Sequence, residues 1–205
     1  MPGLIKQLSK AKERNCVLIR HGETEMNQED VVRGWTETSL DEGGQENARE
    51  LGRELKEAYI DGIIASDLLR TMQTACLVSE ESGIPILALS SNLHTWNVGK
   101  YTGKPTKTAD PILEKLAVEQ PEKEIEDGES FNNFKYRYLL QIIAFMNEYS
   151  DKTVAFVVHG RNLAVMNAWC EAGCPDDFEL YDDLSYESFP PATAHMFKIK
   201  SNYLV

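Results

Sequence analysis

An arginine and a histidine stand side by side where the first apolar segment of the chain ends. Residues 17–19 are valine, leucine and isoleucine, which predicts a buried strand, and Arg20 and His21 follow directly before a polar loop begins at Gly22. In open α/β sheets, ligands bind at the carboxyl ends of the strands. An arginine there can hold a phosphate through two parallel hydrogen bonds, and the adjacent imidazole can attack phosphorus as a nucleophile.

Two further predicted strands also end in polar side chains. Residues 63–65 are followed by Ser66, with Arg70 one helical turn later, and the apolar residues 153–158 are followed by His159. Because parallel strands point the same way, these ends lie at one edge of the sheet together with the first arginine and histidine. Two arginines and two histidines in one pocket suit phosphoryl transfer, in which cationic donors stabilise the transferred oxygens. We expect the second histidine to act as such a charged donor.

The elements that must position these residues alternate between strand-like and helix-like patterns. This alternation predicts an α/β fold, a three-layer sandwich with a mostly parallel central sheet and helices on both faces. Pro85 indicates that the third strand lies near an edge, because proline cannot donate to the ladder. The β-branched run before His159 indicates a central strand. The remaining predicted elements are strands at 84–89 and 194–200, helices at 40–59, 69–83, 131–149 and 162–171, and a short helical stretch at 112–118.

The chain has the length of one domain, and capping residues mark its helices. We expect a single domain over residues 1–205, because no shift in composition marks a boundary. Asp41 is the expected N-cap of the first long helix, and Ser66 or Asp67 that of the second. Residues 90–130 are punctuated by glycine and proline, which predicts an irregular insertion over the rim of the active site.

The composition restricts the partners and the cofactors. A formal net charge of −12 argues against nucleic acid or an anionic membrane as a partner, since both need a basic surface. A small anionic ligand is still compatible, because nearby arginines outweigh carboxylates beyond a Debye length of about 8 Å. The chain shows no secretory signal and no apolar run of membrane-spanning length, so we expect a soluble cytoplasmic protein. The cysteines suit buried reduced thiols, and we expect neither a metal nor another cofactor.

Five motifs occur in order between residues 16 and 161. They are Arg20-His21-Gly22-Glu23-Thr24 with Asn27, Leu40-Asp41-Glu42 with Gly44, Asn47 and Ala48, Ser66-Asp67-Leu68-Leu69-Arg70-Thr71, Gly128-Glu129-Ser130, and Val158-His159-Gly160. Together they resemble the histidine phosphatase superfamily, in its phosphoglycerate-mutase-like branch. The resemblance implies a phosphohistidine intermediate on His21. It also implies a phosphate pocket formed by Arg20, Arg70 and His159, with Asn27 as a contact for the substrate or its phosphate.

Three further residues are expected to contact the substrate. Glu129 and Ser130 belong to the fourth of these motifs, and Arg161 follows the last one. Arg161 would bind a second anionic group on the substrate. The alternative is a loose pair between this arginine and a surface carboxylate.

The segment at 93–99 departs from the family pattern. Members of the family typically carry a glutamate that acts as general acid, and Thr95 stands where that glutamate is expected. A threonine hydroxyl cannot exchange protons near neutral pH, and losing a positioned acid costs about 10²- to 10⁴-fold for a poor leaving group. Either another group donates the proton, with His94, Glu129 and Asp67 as candidates, or the pocket binds phosphate but hydrolyses its esters poorly.

The resulting prediction is a phosphomonoester hydrolase that forms a phosphohistidine on His21 and acts on a small-molecule or protein phosphomonoester. A mutase of the phosphoglycerate type is the nearest enzymatic alternative, since the same intermediate can return its phosphoryl group to a different hydroxyl. A non-catalytic module that binds a phosphorylated ligand is the alternative from another class. The sequence leaves the oligomeric state open, with a homodimer as one option.

Overall fold

The computed structural model describes residues 12–178 and 189–204, and its centre is a five-stranded sheet. The strands are β1 (Lys12–Arg20), β2 (Gly62–Ser66), β3 (Ile86–Ser90), β4 (Val154–Val158) and β5 (Ala194–Ser201). They lie in the order β3-β2-β4-β1-β5, and of these strands β5 alone is antiparallel to its neighbour. The predicted α/β class is confirmed, with β4 at the centre of the sheet and β3 at an edge.

Helices cover both faces of the sheet. They are α1 (Glu25–Gln28), α2 (Glu42–Leu55), α3 (Leu69–Ser82), α4 (Thr106–Glu119), α5 (Phe131–Glu148) and α6 (Gly160–Glu171), with single 3₁₀ turns at Ser91–Leu93 and Gly99–Tyr101. Val17 and Ile19 of β1 pack in a layer with Leu51 of α2 and Val78 of α3, whereas Leu18 packs in the layer that contains α4, α5 and α6. Alternate strand residues thus fill two cores, one on each face. None of the helices in the described part of the chain is long and apolar enough to cross a membrane.

The segment between β3 and α5 is more regular than the sequence predicts. The short helix expected at 112–118 is α4, a helix of 14 residues that contains Pro111. The buried face of α4 carries Ala109, Leu113 and Ala117. Proline removes one backbone donor from the helix, but packing of this face against the core outweighs that loss.

The residues that cap the helix starts match the predicted N-caps only in part. Asp41 caps α2 through its side chain, as predicted. Neither Ser66 nor Asp67 caps α3, in contrast to the prediction. The first N–H group of α3, on Leu69, donates instead to Glu37 Oε2 at 2.8 Å. A carboxylate distant in the sequence therefore satisfies the donor that a neighbouring side chain was expected to satisfy.

The loop after β1 lies directly against the first turn of α2. A Cβ atom on Gly44 would lie 2.2 Å from the carbonyl oxygen of Glu23, and one on Gly22 would lie 2.6 Å from the carbonyl oxygen of Gly44. These neighbours are backbone atoms, so they cannot rotate away as a side chain can. Two glycines therefore allow the loop that follows His21 to pack against α2 and hold the end of β1 in place.

Gly44→Ala is expected to destabilise the fold, whereas Gly43→Ala at the adjacent position of α2 is not. The first substitution forces a methyl group into a backbone contact, which typically costs about 1–3 kcal/mol. A Cβ atom on Gly43 meets its nearest neighbour at 3.5 Å, which is an ordinary contact. Alanine there favours the helix by about 0.5–1 kcal/mol. Urea unfolding followed by circular dichroism measures both changes, and equal stabilities of the two variants would contradict the contact.

Candidate active site

The carboxyl ends of β1, β2 and β4 meet at one edge of the sheet. β4 lies between the other two strands, and Arg20 of β1 pairs with Val158 of β4. The next residues along the chain are His21 and His159, whose ring centroids are 5.3 Å apart. Together with Arg20 and Arg70, they line a cavity that is open to solvent. The structure thus brings together the four residues that were predicted to be catalytic.

His21 has the tautomer and the charge that a nucleophile needs. Its side chain is buried, and Nδ1 lies 2.7 Å from the carbonyl oxygen of Gly22. A carbonyl oxygen only accepts, so Nδ1 carries the proton and Nε2 keeps a lone pair. Burial, followed by the charges of Arg70 and Arg33, lowers the pKa of His21 well below its usual range. The imidazole is therefore neutral at neutral pH.

Arg70 lies in the first turn of α3, and backbone carbonyl groups of the loop before α2 bind its buried, charged side chain. Nη1 donates to the carbonyl oxygen of Thr36 at 2.8 Å, Nη2 to that of Gly34 at 2.9 Å, and Nε to Nδ1 of His159 at 3.3 Å. These bonds involve three of the five N–H donors of a guanidinium, so the group can also donate to a phosphoryl oxygen. Burial, followed by the charge of Arg33, lowers the pKa of Arg70 to about 9, and the guanidinium stays charged at neutral pH.

His159 is neutral in this structure, in contrast to the charged donor expected from the sequence. Nδ1 accepts from Arg70, so Nε2 carries the proton and donates to Ser66 Oγ at 3.0 Å. Burial, followed by the charges of Arg70 and His21, lowers the pKa of His159 well below its usual range. The positive charge of the site therefore comes from arginines, and His159 helps to orient Arg70.

Arg33 is a cavity-lining residue that the sequence reasoning missed. Its charge lowers the pKa values of His21, Arg70 and His159, which reflects its position close to all three. The residue lies in the loop between α1 and α2, next to Gly34, whose φ of +50° turns the backbone. An arginine beside a glycine, shortly after the first motif, was the available signal. The arginines that line the cavity are Arg20, Arg33, Arg70 and Arg161.

Asn27, whose contact with the substrate stays a prediction, supports the loop after β1 in this structure. Its Oδ1 accepts from the N–H of Thr24 at 3.0 Å and from the Thr24 hydroxyl at 2.7 Å. These bonds stabilise the start of α1. Asn27 is not among the residues that line the cavity.

Glu129 and Ser130, also expected as substrate contacts, form hydrogen bonds that stabilise the segment after α4. Glu129 Oε1 lies 2.6 Å from Arg137 Nη2 and accepts from the N–H of Asn97 at 2.9 Å. Ser130 caps α5, with its Oγ accepting from the N–H of Asn133. Neither residue is among those that line the cavity, and their contact with substrate stays a prediction.

Thr95 lines the cavity at the position where the family resemblance implies a general acid. Two of the three candidate substitutes, His94 and Asp67, bond to each other, with 2.5 Å between Nε2 and Oδ1. Like the third, Glu129, they do not line the cavity. Arg161 lines the cavity, as a contact for an anionic group of the substrate would. It also pairs with Asp110, as the alternative of a carboxylate partner predicts.

Residues 16–183 match the family model described as histidine phosphatase superfamily (branch 1). The chain belongs to this superfamily. The match includes the four residues that meet at the cavity, and it confirms the resemblance that the motifs indicated.

The relatives of this chain include proteins named as a phosphatase and as a probable mutase. The chain is 29% identical over 161 residues to the broad-specificity phosphatase YOR283W of Saccharomyces cerevisiae, covering 74% of this chain and 68% of the relative. It is 28% identical over 153 residues to the probable phosphoglycerate mutase GpmB of Erwinia tasmaniensis, covering 73% of this chain and 71% of the relative. The solved structure of Bacillus stearothermophilus YhfR matches with a TM-score of 0.71, at 26% identity and 89% coverage of both chains.

Proposed function

We propose that the protein hydrolyses phosphomonoesters through a phosphohistidine formed on His21. The observation that carries this proposal is a neutral imidazole, with its lone pair on Nε2, in a cavity lined by four arginines. Positive charge around a neutral nucleophile suits an anionic substrate that is attacked directly. The similarity to a broad-specificity phosphatase supports the same reaction type.

The reaction has two steps. In the first, the arginines bind the phosphoryl oxygens and His21 Nε2 attacks phosphorus, while the bond to the alcohol oxygen breaks and that oxygen takes up a proton. The hydrogen bond from Nδ1 to the Gly22 carbonyl oxygen stabilises the positive charge that develops on the imidazole. In the second step, water attacks phosphorus, the P–N bond breaks, its electrons return to Nε2 and inorganic phosphate leaves.

Two other functions each have one observation in their favour. A mutase would use the same phosphohistidine but return the phosphoryl group to a second hydroxyl, and the similarity to a probable phosphoglycerate mutase favours it. A module that binds phosphorylated ligands without turnover is favoured by Thr95 at the position of the expected acid. We place hydrolysis first because the nucleophile and its arginines are complete and the cavity is open to water.

The test is to trap the phosphoenzyme. The protein is mixed with a radiolabelled phosphomonoester and quenched in alkali, in which phosphohistidine survives, and one half of the sample is then acidified. We expect label that is bound to protein, stable in alkali and lost in acid, together with release of inorganic phosphate that EDTA does not reduce. Ligand binding without label would support the binding module. Label that passes to a second hydroxyl rather than to water would support the mutase.

The proposed substrate is a small-molecule or protein phosphomonoester of the cytoplasm. The net charge of −12 argues against a nucleic acid or an anionic membrane as a partner. The four arginines and two histidines of the site come from a single chain, so the site needs no residue from a second copy. The proposal is therefore compatible with a homodimer, in which each copy would carry its own site.

A further inference from the structure

One carboxyl group lies in the wall of an otherwise cationic cavity. Asp110 of α4 is the sole acidic residue among the lining residues that the structure describes, and four arginines line the same cavity. A carboxylate repels a bound phosphoryl dianion. A site made for phosphate binding alone would be better without it, which points to a chemical use for this side chain.

The helix α4 holds Asp110 firmly at the cavity. Thr106 and Asp110 lie one helical turn apart and both line the cavity, while Ala109 and Leu113 anchor the helix in the core. Arg161 Nη2 lies 2.5 Å from Asp110 Oδ1, and the two side chains of this pair are each 18% exposed. The carboxylate is therefore oriented by Arg161 and lines the same cavity as His21.

The reaction needs a group that exchanges protons, and the other candidates are badly placed. Thr95 lines the cavity, but its hydroxyl does not ionise near neutral pH. His94 is bonded to Asp67, Glu129 is paired with Arg137, and none of these side chains lines the cavity. We propose that Asp110 transfers the proton, as the acid for the leaving alcohol and the base for the attacking water. This inference rests on the hydrolysis proposed above.

The proton balance closes over one turnover. When water attacks the phosphohistidine, its oxygen bonds to phosphorus, one of its protons passes to Asp110, and the electrons of the P–N bond return to His21. When the next substrate binds, protonated Asp110 gives that proton to the alcohol oxygen as the P–O bond breaks and the N–P bond forms. The proton thus travels from water to the alcohol, and the carboxylate is restored.

A purely structural role for Asp110, namely holding Arg161, makes a different prediction. Loss of a proton donor affects an alcohol that must leave with a proton, but not a phenolate that is stable without one. Loss of an arginine's orientation weakens the binding of both kinds of ester equally. Two esters of similar size, benzyl phosphate and 4-nitrophenyl phosphate, separate the two roles.

The experiment measures alcohol release in a single turnover by the full chain carrying Asp110→Asn. We expect release of benzyl alcohol to slow by about 10²- to 10⁴-fold, and release of nitrophenolate by less than about tenfold. Labelled phosphoenzyme should also accumulate with 4-nitrophenyl phosphate, because water has lost its base. Asp110→Glu should restore much of the benzyl phosphate rate. The control Arg161→Gln removes the charge of the partner but keeps the carboxyl group and an N–H donor for it, so the ratio of the two rates should change far less than in Asp110→Asn.

The results that would contradict the role of Asp110 differ from those that would contradict the proposed function. Equal slowing of both esters by Asp110→Asn, or the same change of ratio in Arg161→Gln, would show that Asp110 only holds Arg161 and would overturn the inference. Unchanged rates in Asp110→Asn would overturn it as well. If the unsubstituted protein formed no phosphoenzyme and turned over neither ester, the proposed function would fail, and this inference with it.

Discussion

Replacement of His21 by glutamine is expected to lower kcat for phosphomonoester hydrolysis by about 10⁴-fold or more. In the proposed mechanism the imidazole Nε2 forms the bond to phosphorus, and an amide side chain has no comparable nucleophile. Glutamine is similar in size to histidine and is polar, so the cavity should keep its shape. The rate of nitrophenolate release from 4-nitrophenyl phosphate measures the loss, and the trapped phosphoenzyme should disappear with it.

The matched control for this substitution is His195→Gln. His195 bonds to the Thr193 hydroxyl at 2.7 Å and does not line the cavity, so we expect a change in kcat of less than about tenfold. Inorganic phosphate should still bind to the His21 variant, because the arginines that attract it remain. Titration calorimetry measures this affinity. A His21 variant that kept activity close to that of the His195 variant would exclude His21 as the nucleophile.

Arg70→Lys is expected to lower kcat/KM by about 10²- to 10³-fold. Lysine keeps the positive charge but has no planar fork. It cannot donate to the carbonyl oxygens of Gly34 and Thr36 and to Nδ1 of His159 while also binding a phosphoryl oxygen. The variant should also lose stability, since an unpaired buried carbonyl group costs about 1–3 kcal/mol. Steady-state kinetics and urea unfolding measure the two effects.

Arg49→Lys provides the comparison for Arg70. Arg49 lies on the surface of α2 and pairs with Glu80 at 3.4 Å and Glu81 at 3.8 Å. Exposed pairs of this kind contribute about 0–1 kcal/mol, so both kcat/KM and stability should stay close to those of the unsubstituted protein. If the two lysine variants had equal kcat/KM values, Arg70 would not hold the phosphoryl group.

Local patterns predicted most elements of the fold. The β-branched run before His159 is the central strand β4, and Gly83 ends α3 with a φ of +78°, as a glycine at a helix end favours. Local patterns did not predict the start of α3, because its first donor bonds to Glu37 from another loop. Nor did they predict the length of α4, whose stability depends on the face that it buries rather than on Pro111 within it.

The sequence by itself determined the superfamily and the α/β class, and it predicted His21 as the nucleophile. These follow from short motifs and from the direction of parallel strands, which brings Arg20, His21 and His159 to one edge. Each of these properties depends on residues that are close together in the chain or on a general rule of sheet geometry.

Only the tertiary structure decided how the site is charged and which groups surround it. His159 is neutral because it is buried against Arg70, which lies 89 residues away in the chain. Arg33 and Asp110 line the cavity, whereas Glu129 is held by Arg137 outside it. Burial and hydrogen-bond partners set charge states and orientations, and both arise from segments that meet only when the chain is folded.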